Sequence, residues 1–280
     1  LVVAVNAFRM SAGDDTLRGG MGADTMIGGA GIDTMDYTTS TTAVTVDLTT
    51  NLGSGGEAAG DTFSGIEYVL ASAYNDSLVG DANSNILNGG AGNDTLVGGA
   101  GADTLIGGTG SDLVDYALSV GAVTIDLGAG SGVGGDAQGD VLSAVENVSG
   151  SASNDRLIGN TAANVLSGAD GNDTLLGGIG ADTLNGGLGL DTADYSASAV
   201  AVSVDLNSGT GSGGDANLDV LSGIENLTGS AYNDTLVGNG VANILDGGAG
   251  DDVLQGGAGA DTLTGGAGID TASYAGSATG

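Results

Sequence analysis

The chain contains no cysteine, histidine, proline or tryptophan, and only three basic residues stand against 35 acidic ones. Without cysteine there is no disulfide framework, and without cysteine or histidine there is no thiol nucleophile, histidine-based triad or usual zinc site. The formal net charge of −32 would repel nucleic acids and anionic membrane surfaces. No apolar run approaches the roughly 18 residues of a membrane span. We therefore expect no enzyme, no nucleic-acid partner and no membrane insertion.

Aromatic residues are also scarce, at 3% of 280 residues, whereas 58 residues are glycine. A chain with few large apolar side chains and a high charge is disordered unless something compensates the charge. The glycines recur in a nine-residue phrase, GGAGNDTLV at 89–97, followed directly by GGAGADTLI at 98–106 and GGTGSDLVD at 107–115. A period this strict indicates a repeat architecture.

A longer, 79-residue period contains the nonapeptides and is marked by Asp36-Tyr37, Asp115-Tyr116 and Asp194-Tyr195. In a full module, five nonapeptides such as 71–115 are followed by a bridge such as 116–149. We predict one continuous repeat array over 1–280, with full modules 64–142 and 143–221 and partial modules 1–63 and 222–280.

The eighth residue of the nonapeptide forms an apolar column, for example Leu78, Leu87, Leu96 and Leu105. A polar residue precedes it, which indicates a six-residue turn and a three-residue strand whose middle side chain points inward. Helix is disfavoured because each glycine costs about 1 kcal/mol relative to alanine. We predict an all-β, parallel β-solenoid in which two consecutive nonapeptides, as half-coils, close one coil. The bridges, which contain alternating segments such as Val123–Leu127, are expected to form larger turns of the same solenoid, with a small protrusion from the coil as the alternative, because 34 residues are not a multiple of nine.

The turn of the nonapeptide carries the chemistry. Calcium takes six to eight oxygen ligands from carboxylates and backbone carbonyls, and glycine permits the positive φ angles that turn carbonyls inward. Equivalent residues of successive coils stack about 4.8 Å apart on one edge, so Asp94 and Asp112 are expected to flank one ion. Mixed pairs such as Asn85 with Asp103 should bind more weakly. The predicted calcium ligands are Asp15, Asp24, Asp33, Asp76, Asn85, Asp94, Asp103, Asp112, Asp155, Asn164, Asp173, Asp182, Asp191, Asp234, Asn243, Asp252, Asp261 and Asp270.

Pairs of these residues 18 apart, together with the pair of Asn6 and Asp24, set a ceiling of about eleven calcium ions. Turn propensity explains one such aspartate without a metal, but not more than a dozen in register. Without metal the stacked carboxylates would repel one another over a thin core, so calcium binding should be coupled to folding.

Two further sets recur in every module. Glu67, Glu146 and Glu225 have no evident catalytic partner, and we expect a structural role or an auxiliary ion rather than catalysis. Tyr37, Tyr116, Tyr195 and Tyr274 are expected to pack over the end of a nonapeptide run.

The phrase Gly-Gly-x-Gly-x-Asp-x-apolar-x resembles the repeat of the RTX, or hemolysin-type calcium-binding, family. The bridge segment GIENL at 223–227, before GSAYND, is similar to segments of long bacterial RTX proteins. The resemblance implies a right-handed parallel β-roll, calcium ligation by the sixth-position aspartates, and a bacterial protein exported by type I secretion that folds outside the cell.

Two functions remain open at this point. The first is a secreted or cell-surface structural rod of a surface layer, filament or adhesin, with calcium, other copies of itself or a cell surface as partners. The second is the C-terminal secretion and folding module of a larger type I-secreted enzyme or toxin. The module repeats with no distinct domain beside it, which favours the first function.

Overall fold

A computed structural model describes residues 6–275, which form 31 short strands and three 3₁₀ turns. The first strands in chain order are β1 (Ala7–Arg9), β2 (Thr16–Leu17), β3 (Thr25–Ile27), β4 (Thr34–Asp36), β5 (Thr45–Asp47), β6 (Leu52–Ser54), β7 (Thr62–Ser64), β8 (Tyr68–Leu70), β9 (Ser77–Val79), β10 (Ile86–Ala91), β11 (Thr95–Val97), β12 (Thr104–Thr109), β13 (Leu113–Asp115), β14 (Thr124–Asp126), β15 (Ser131–Val133) and β16 (Val141–Ser143). The others are β17 (Asn147–Ser149), β18 (Arg156–Ile158), β19 (Val165–Asp170), β20 (Thr174–Leu176), β21 (Thr183–Leu188), β22 (Thr192–Asp194), β23 (Ser203–Asp205), β24 (Thr210–Ser212), β25 (Val220–Ser222), β26 (Asn226–Thr228), β27 (Thr235–Val237), β28 (Ile244–Asp246), β29 (Val253–Gln255), β30 (Thr262–Thr264) and β31 (Thr271–Ala272). The 3₁₀ turns are Gly56–Ala58, Gly135–Ala137 and Gly214–Ala216.

The strands belong to two compact units. The first unit contains Leu1–Ser119 and Ala129–Asn147, and the second contains Val120–Gly128 and Val148–Gly280. The predicted division into repeated modules of one array stays a prediction. No helix within residues 6–275 has the length and apolarity that crossing a lipid bilayer requires.

Within a block, nonapeptide strands that lie two nonapeptides apart along the chain pair in parallel. In the first unit, Leu78 of β9 lies opposite Leu96 of β11, and Leu87 of β10 lies opposite Leu105 of β12. The second unit repeats this, with Leu157 of β18 opposite Leu175 of β20. Neighbouring eighth-position side chains therefore stack on one another between two sheets, and the predicted all-β roll of half-coils is confirmed.

The apolar column forms the core, as expected. Its buried members are Leu17, Met26, Met35, Leu78, Leu87, Leu96, Leu105, Val114, Leu157, Leu166, Leu175, Leu184, Ala193, Leu236, Leu245 and Leu254. At the ends of the column Phe8 and Leu263 are half-buried and Ala272 is exposed. Burial of these aliphatic side chains supplies the hydrophobic stabilisation of a chain that has few aromatic residues.

The bridges differ from the expected larger turns of the solenoid. In the first unit, β6 lies antiparallel to both β5 and β7, while β7 pairs in parallel with β3 and β5 with β9. In the second unit, β24 lies in the same way between β23 and β25. Each of these two bridges therefore inserts a three-stranded antiparallel segment into one sheet. Gly53 of β6 permits the close packing, because a Cβ there would lie 2.7 Å from the carbonyl oxygen of Ala58.

The bridges also change the register at the end of each nonapeptide block. Thr25 of β3 pairs with Thr62 of β7, and Thr34 of β4 pairs with Tyr68 of β8. The next strand neighbour of these nonapeptides therefore comes from the bridge and not from another nonapeptide. As a result, acidic side chains of the bridge, and not of another nonapeptide, lie next to the last two turns of the block.

Candidate metal centres

The sixth-position side chains form ladders along the edges of each unit. The Oδ1 atom of Asp94 accepts a hydrogen bond from the backbone N–H of Asp76 at 2.7 Å, and Oδ1 of Asp112 accepts one from the N–H of Asp94 at 2.8 Å. The same bond joins Asn85 with Asp103, Asp155 with Asp173, Asp173 with Asp191, Asn164 with Asp182, Asp234 with Asp252, Asn243 with Asp261, Asp252 with Asp270, Asp15 with Asp33 and Asn6 with Asp24. The predicted pairs from successive coils are thus brought together. In each pair, one carboxylate oxygen of the aspartate that comes later in the sequence accepts a backbone hydrogen bond.

The second oxygen of many of these aspartates has no protein partner. Among the described residues, a buried Oδ2 atom without a hydrogen bond occurs in Asp24, Asp33, Asp94, Asp103, Asp112, Asp173, Asp182, Asp191 and Asp252. We call these the open carboxylates. A buried ionised group without a partner costs several kcal/mol, so an open carboxylate must be protonated or bound to a cation.

Burial has the expected effect on acidity. Desolvation raises the pKa of Asp94 to about 6 and that of Asp103 to about 7, with the negative charges nearby adding to the rise. The pKa of Asp173 is raised to about 6 for the same reasons. Backbone hydrogen bonds to Oδ1 oppose the shift without cancelling it. The metal-free fold therefore makes ionisation of these groups less favourable than it is in an unfolded chain.

The second residue of each turn determines whether the sixth-position side chain is open. In the nine turns with an open carboxylate, this residue has a positive φ, from 77° at Ala169 to 120° at Gly29 and Gly108. In six other turns its backbone N–H donates to the side-chain oxygen of the sixth residue. These pairs are Ser72 with Asp76, Asp81 with Asn85, Ser151 with Asp155, Asn160 with Asn164, Ser230 with Asp234 and Asn239 with Asn243. A positive φ at the second residue turns its backbone N–H away, so the side chain of the sixth residue loses this hydrogen-bond donor. Ala169 shows that the backbone conformation matters more than the residue type.

Three of the predicted ligands are closed by this arrangement. Both carboxylate oxygens of Asp76 accept protein hydrogen bonds, from the N–H groups of Val44 and Ser72 and from the Ser72 hydroxyl. Asp155 and Asp234 have equivalent partners. Serine donors occupy the place where a cation would be needed, so these aspartates have no free oxygen for one.

The asparagines also direct their oxygens to the protein. The side-chain oxygen of Asn85 accepts the N–H of Asp81 at 2.7 Å, and that of Asn243 accepts the N–H of Asn239 at 2.8 Å. The amide nitrogen of Asn243 donates to the carbonyl oxygen of Glu225 at 2.7 Å. An amide nitrogen cannot ligate a cation. The asparagine of a mixed pair therefore offers no unpaired oxygen of the kind that the open aspartates have.

Backbone carbonyls complete the open turns. Beside Gly168, a Cβ would be overlapped by Oδ2 of Asp173 and would lie 2.7 Å from the carbonyl oxygen of Gly186 in the next turn. Gly247 has the same relation to Oδ2 of Asp252 and to the carbonyl oxygen of Gly265, again at 2.7 Å. The absence of a side chain at the first glycine thus lets an unpaired carboxylate oxygen and a carbonyl oxygen both approach its backbone.

This donor set fits calcium. The groups are all hard oxygen donors, which suit calcium and not a softer metal. Across residues 6–275 no three acidic side chains converge on one point. A cation in these turns would therefore be held by paired carboxylates together with backbone carbonyls.

The ends of the nonapeptide blocks contain residues that the sequence analysis missed. The backbone N–H of Asp103 donates to Oδ1 of Asp140 at 2.9 Å, and the hydroxyl of buried Tyr116 donates to Oδ2 of Asp140 at 2.8 Å. The same arrangement joins Asp24, Asp61 and Tyr37, and also Asp182, Asp219 and Tyr195. The packing predicted for these three tyrosines is confirmed, whereas Tyr274 is exposed. The signal for Asp61, Asp140 and Asp219 was their recurrence at the interval of the long module.

Parallel half-coils with acidic ladders over glycine turns define a β-roll with built-in cation sites. The profile of the RTX calcium-binding nonapeptide repeat matches this chain at residues 11–35, 61–96, 79–114, 143–175, 158–193, 220–240 and 237–272. Because these matches cover more than half of the sequence, the chain belongs to the RTX calcium-binding repeat family. A search of curated proteins finds no match.

Proposed function

We propose that this chain is an extracellular structural module whose β-roll folds when calcium binds, of the kind that builds a surface layer, filament or adhesin. The observation that carries the proposal is the set of open carboxylates, each a buried Oδ2 atom without a protein partner. Stacked turns supply such atoms in both units together with facing carbonyl oxygens. A divalent cation satisfies both groups at once.

The strongest sites are the pairs in which both turns belong to nonapeptides and the aspartate that comes earlier in the sequence is an open carboxylate. These are Asp94 with Asp112, Asp173 with Asp191, and Asp252 with Asp270. Mixed pairs containing Asn85, Asn164 or Asn243 would bind weakly. The closed aspartates Asp76, Asp155 and Asp234 would hold no ion, which lowers the expected number below the ceiling of about eleven.

Coupling between calcium and folding follows from the charge. The chain carries a net charge of −32, and its buried carboxylates stack within hydrogen-bonding distance of their neighbours' backbones. Taking these charges out of water without a counter-ion opposes folding. Calcium removes that cost only in the folded state, because the two turns of a site are adjacent only there.

An extracellular role agrees with this dependence. Extracellular calcium-binding modules work at free calcium of roughly 10⁻⁴ to 10⁻³ M, and family membership supports secretion from a bacterium by a type I system. The acidic side chains serve to join consecutive turns, which suits a structural spacer. A catalytic domain elsewhere in the same polypeptide would instead make this chain a secretion and folding module.

The test is circular dichroism of the chain in calcium and in excess chelator. We expect a strand spectrum with calcium and a disordered one without it, restored on adding calcium back. Isothermal titration then counts the ions. A strand spectrum that is unchanged at nanomolar free calcium would refute coupled folding.

A further inference from the structure

We propose that Glu67, Glu146 and Glu225 complete a second class of calcium site, formed where each nonapeptide block meets the following bridge. The pairs are Asp33 with Glu67, Asp112 with Glu146, and Asp191 with Glu225, and we call them the junction sites. The inference rests on the proposed calcium-dependent fold and assigns a ligand role to residues outside the nonapeptide repeat.

The glutamates take the position of the next aspartate in the ladder. The Oε2 atom of Glu67 accepts the backbone N–H of Asp33 at 3.0 Å, where a sixth-position Oδ1 would accept it in a nonapeptide. Glu146 accepts the N–H of Asp112 at 3.0 Å, and Glu225 accepts that of Asp191 at 2.9 Å. The bridge thus continues the acidic ladder with a longer side chain across a spacing of 34 residues.

An unpaired oxygen faces each junction. Asp33, Asp112 and Asp191 are each 0% exposed, and their Oδ2 atoms have no hydrogen-bond partner. This is the same open carboxylate that supports the sites between two nonapeptides. A second carboxylate beside it makes an ion pair with a divalent cation favourable.

Each junction also has a carbonyl oxygen in the required place. A Cβ at Gly28 would lie 2.6 Å from Oδ2 of Asp33 and would overlap the carbonyl oxygen of Gly65 in the bridge. Gly107 stands in the same relation to Asp112 and to the carbonyl oxygen of Ala144. At the third junction Gly186 faces Asp191 and the carbonyl oxygen of Gly223. An aspartate Oδ2 and a bridge carbonyl oxygen therefore both lie against the first glycine, as the equivalent atoms do at Gly168 and Gly247 between two nonapeptides.

The bridge backbone turns through a left-handed residue just before each glutamate. The residue two positions before each glutamate has a positive φ, 61° at Gly65, 50° at Ala144 and 59° at Gly223. Ala144 takes this angle although alanine disfavours it. The left-handed residue places its carbonyl oxygen against the first glycine of the turn below.

The other end of the block provides an internal contrast. There the open carboxylate of Asp103 meets Asp140, whose Oδ2 is already bound by the hydroxyl of Tyr116. A tyrosine hydroxyl thus occupies Oδ2 of the bridge aspartate at this end, whereas at the glutamate end a bridge carbonyl oxygen lies against the first glycine of the turn.

The experiment counts calcium ions by isothermal titration and native mass spectrometry in four forms of the whole chain. These are the wild type, the triple variant E67Q/E146Q/E225Q, the triple variant D94N/D173N/D252N, and E57Q as a matched glutamate control. Glutamine keeps an oxygen that can accept the aspartate N–H, so the junction variant is expected to fold in saturating calcium. Single E67Q, E146Q and E225Q variants replace it if circular dichroism shows that it does not.

We expect the junction variant to bind three fewer ions than the wild type, each single variant one fewer, and E57Q the same number. Unchanged stoichiometry in the glutamine variants would overturn the junction sites. The D94N/D173N/D252N variant tests the proposed function separately, because it removes the open carboxylates of the nonapeptide pairs only. Ions lost there but retained in the glutamine variants would leave the proposed function standing without the junction sites.

Discussion

The substitution Gly90→Ser should convert an open calcium turn into a closed one. Gly90 is the second residue of its turn and has a φ of 96°. A serine there would pay about 1–2 kcal/mol for the left-handed conformation, and its Cβ would lie 2.6 Å from the carbonyl oxygen of Ser72. The favourable alternative is the conformation of Ser72 itself, in the equivalent turn of the preceding coil.

In that conformation the serine would satisfy Asp94 without a metal. Ser72 gives Asp76 a backbone N–H at 2.7 Å and a hydroxyl at 2.8 Å. A hydrogen bond to a charged group contributes about 1.5–3 kcal/mol. After the cost of rearranging the turn, we expect the metal-free fold to gain about 2 kcal/mol, the value of one such bond. The variant should also bind one calcium ion fewer than the wild type.

Two measurements test this. Urea unfolding in chelator, with an osmolyte to keep the metal-free fold measurable, should show the gain in unfolding free energy. Titration calorimetry should show the lost ion. Gly240→Ser is the matched control, because a Cβ at Gly240 meets no atom within 4 Å. If Gly90→Ser keeps the full number of ions and is not stabilised in chelator, the account of open and closed turns is wrong.

Three further results are expected. Tyr116→Phe removes the hydroxyl that donates to Asp140 at 2.8 Å and should lower the unfolding free energy in saturating calcium by about 2 kcal/mol. The same substitution at half-exposed Tyr74 should cost far less. Equal losses in the two variants would contradict a stabilising role for the hydrogen bond between Tyr116 and Asp140. Leu96→Ala, at a fully buried position, should cost about 2–5 kcal/mol in the same assay, and a loss below about 1 kcal/mol would argue against a packed column. Because burial raises the pKa of Asp103 to about 7, the metal-free fold is most stable below about pH 4 and loses stability as pH rises through 7. Circular dichroism in chelator should therefore show strand structure returning on acidification; a chelated chain that stays disordered at pH 4 would contradict this.

The sequence by itself determines the periodic part of this protein. A strict nonapeptide specifies which side chain points inward, because alternation along a strand has a period of two and every strand occupies the same place in its repeat. The buried column from Leu17 to Leu254 and the pairing of Asp94 with Asp112 follow from that repetition alone. The serine and asparagine turns are also visible in sequence as departures from Gly-Gly.

The tertiary structure decides what happens where the period breaks. The nonapeptide period does not predict the pairing of Glu67 with Asp33 or of Asp61 with Asp24, since their separations of 34 and 37 residues depend on the antiparallel insertion of β6. Ala169 has an open-turn φ of 77° although its residue type argues against it, because the surrounding strands impose the conformation. Local periodicity sets contacts between identical turns, whereas the partners of unlike segments depend on how each bridge pairs with the strands of its block.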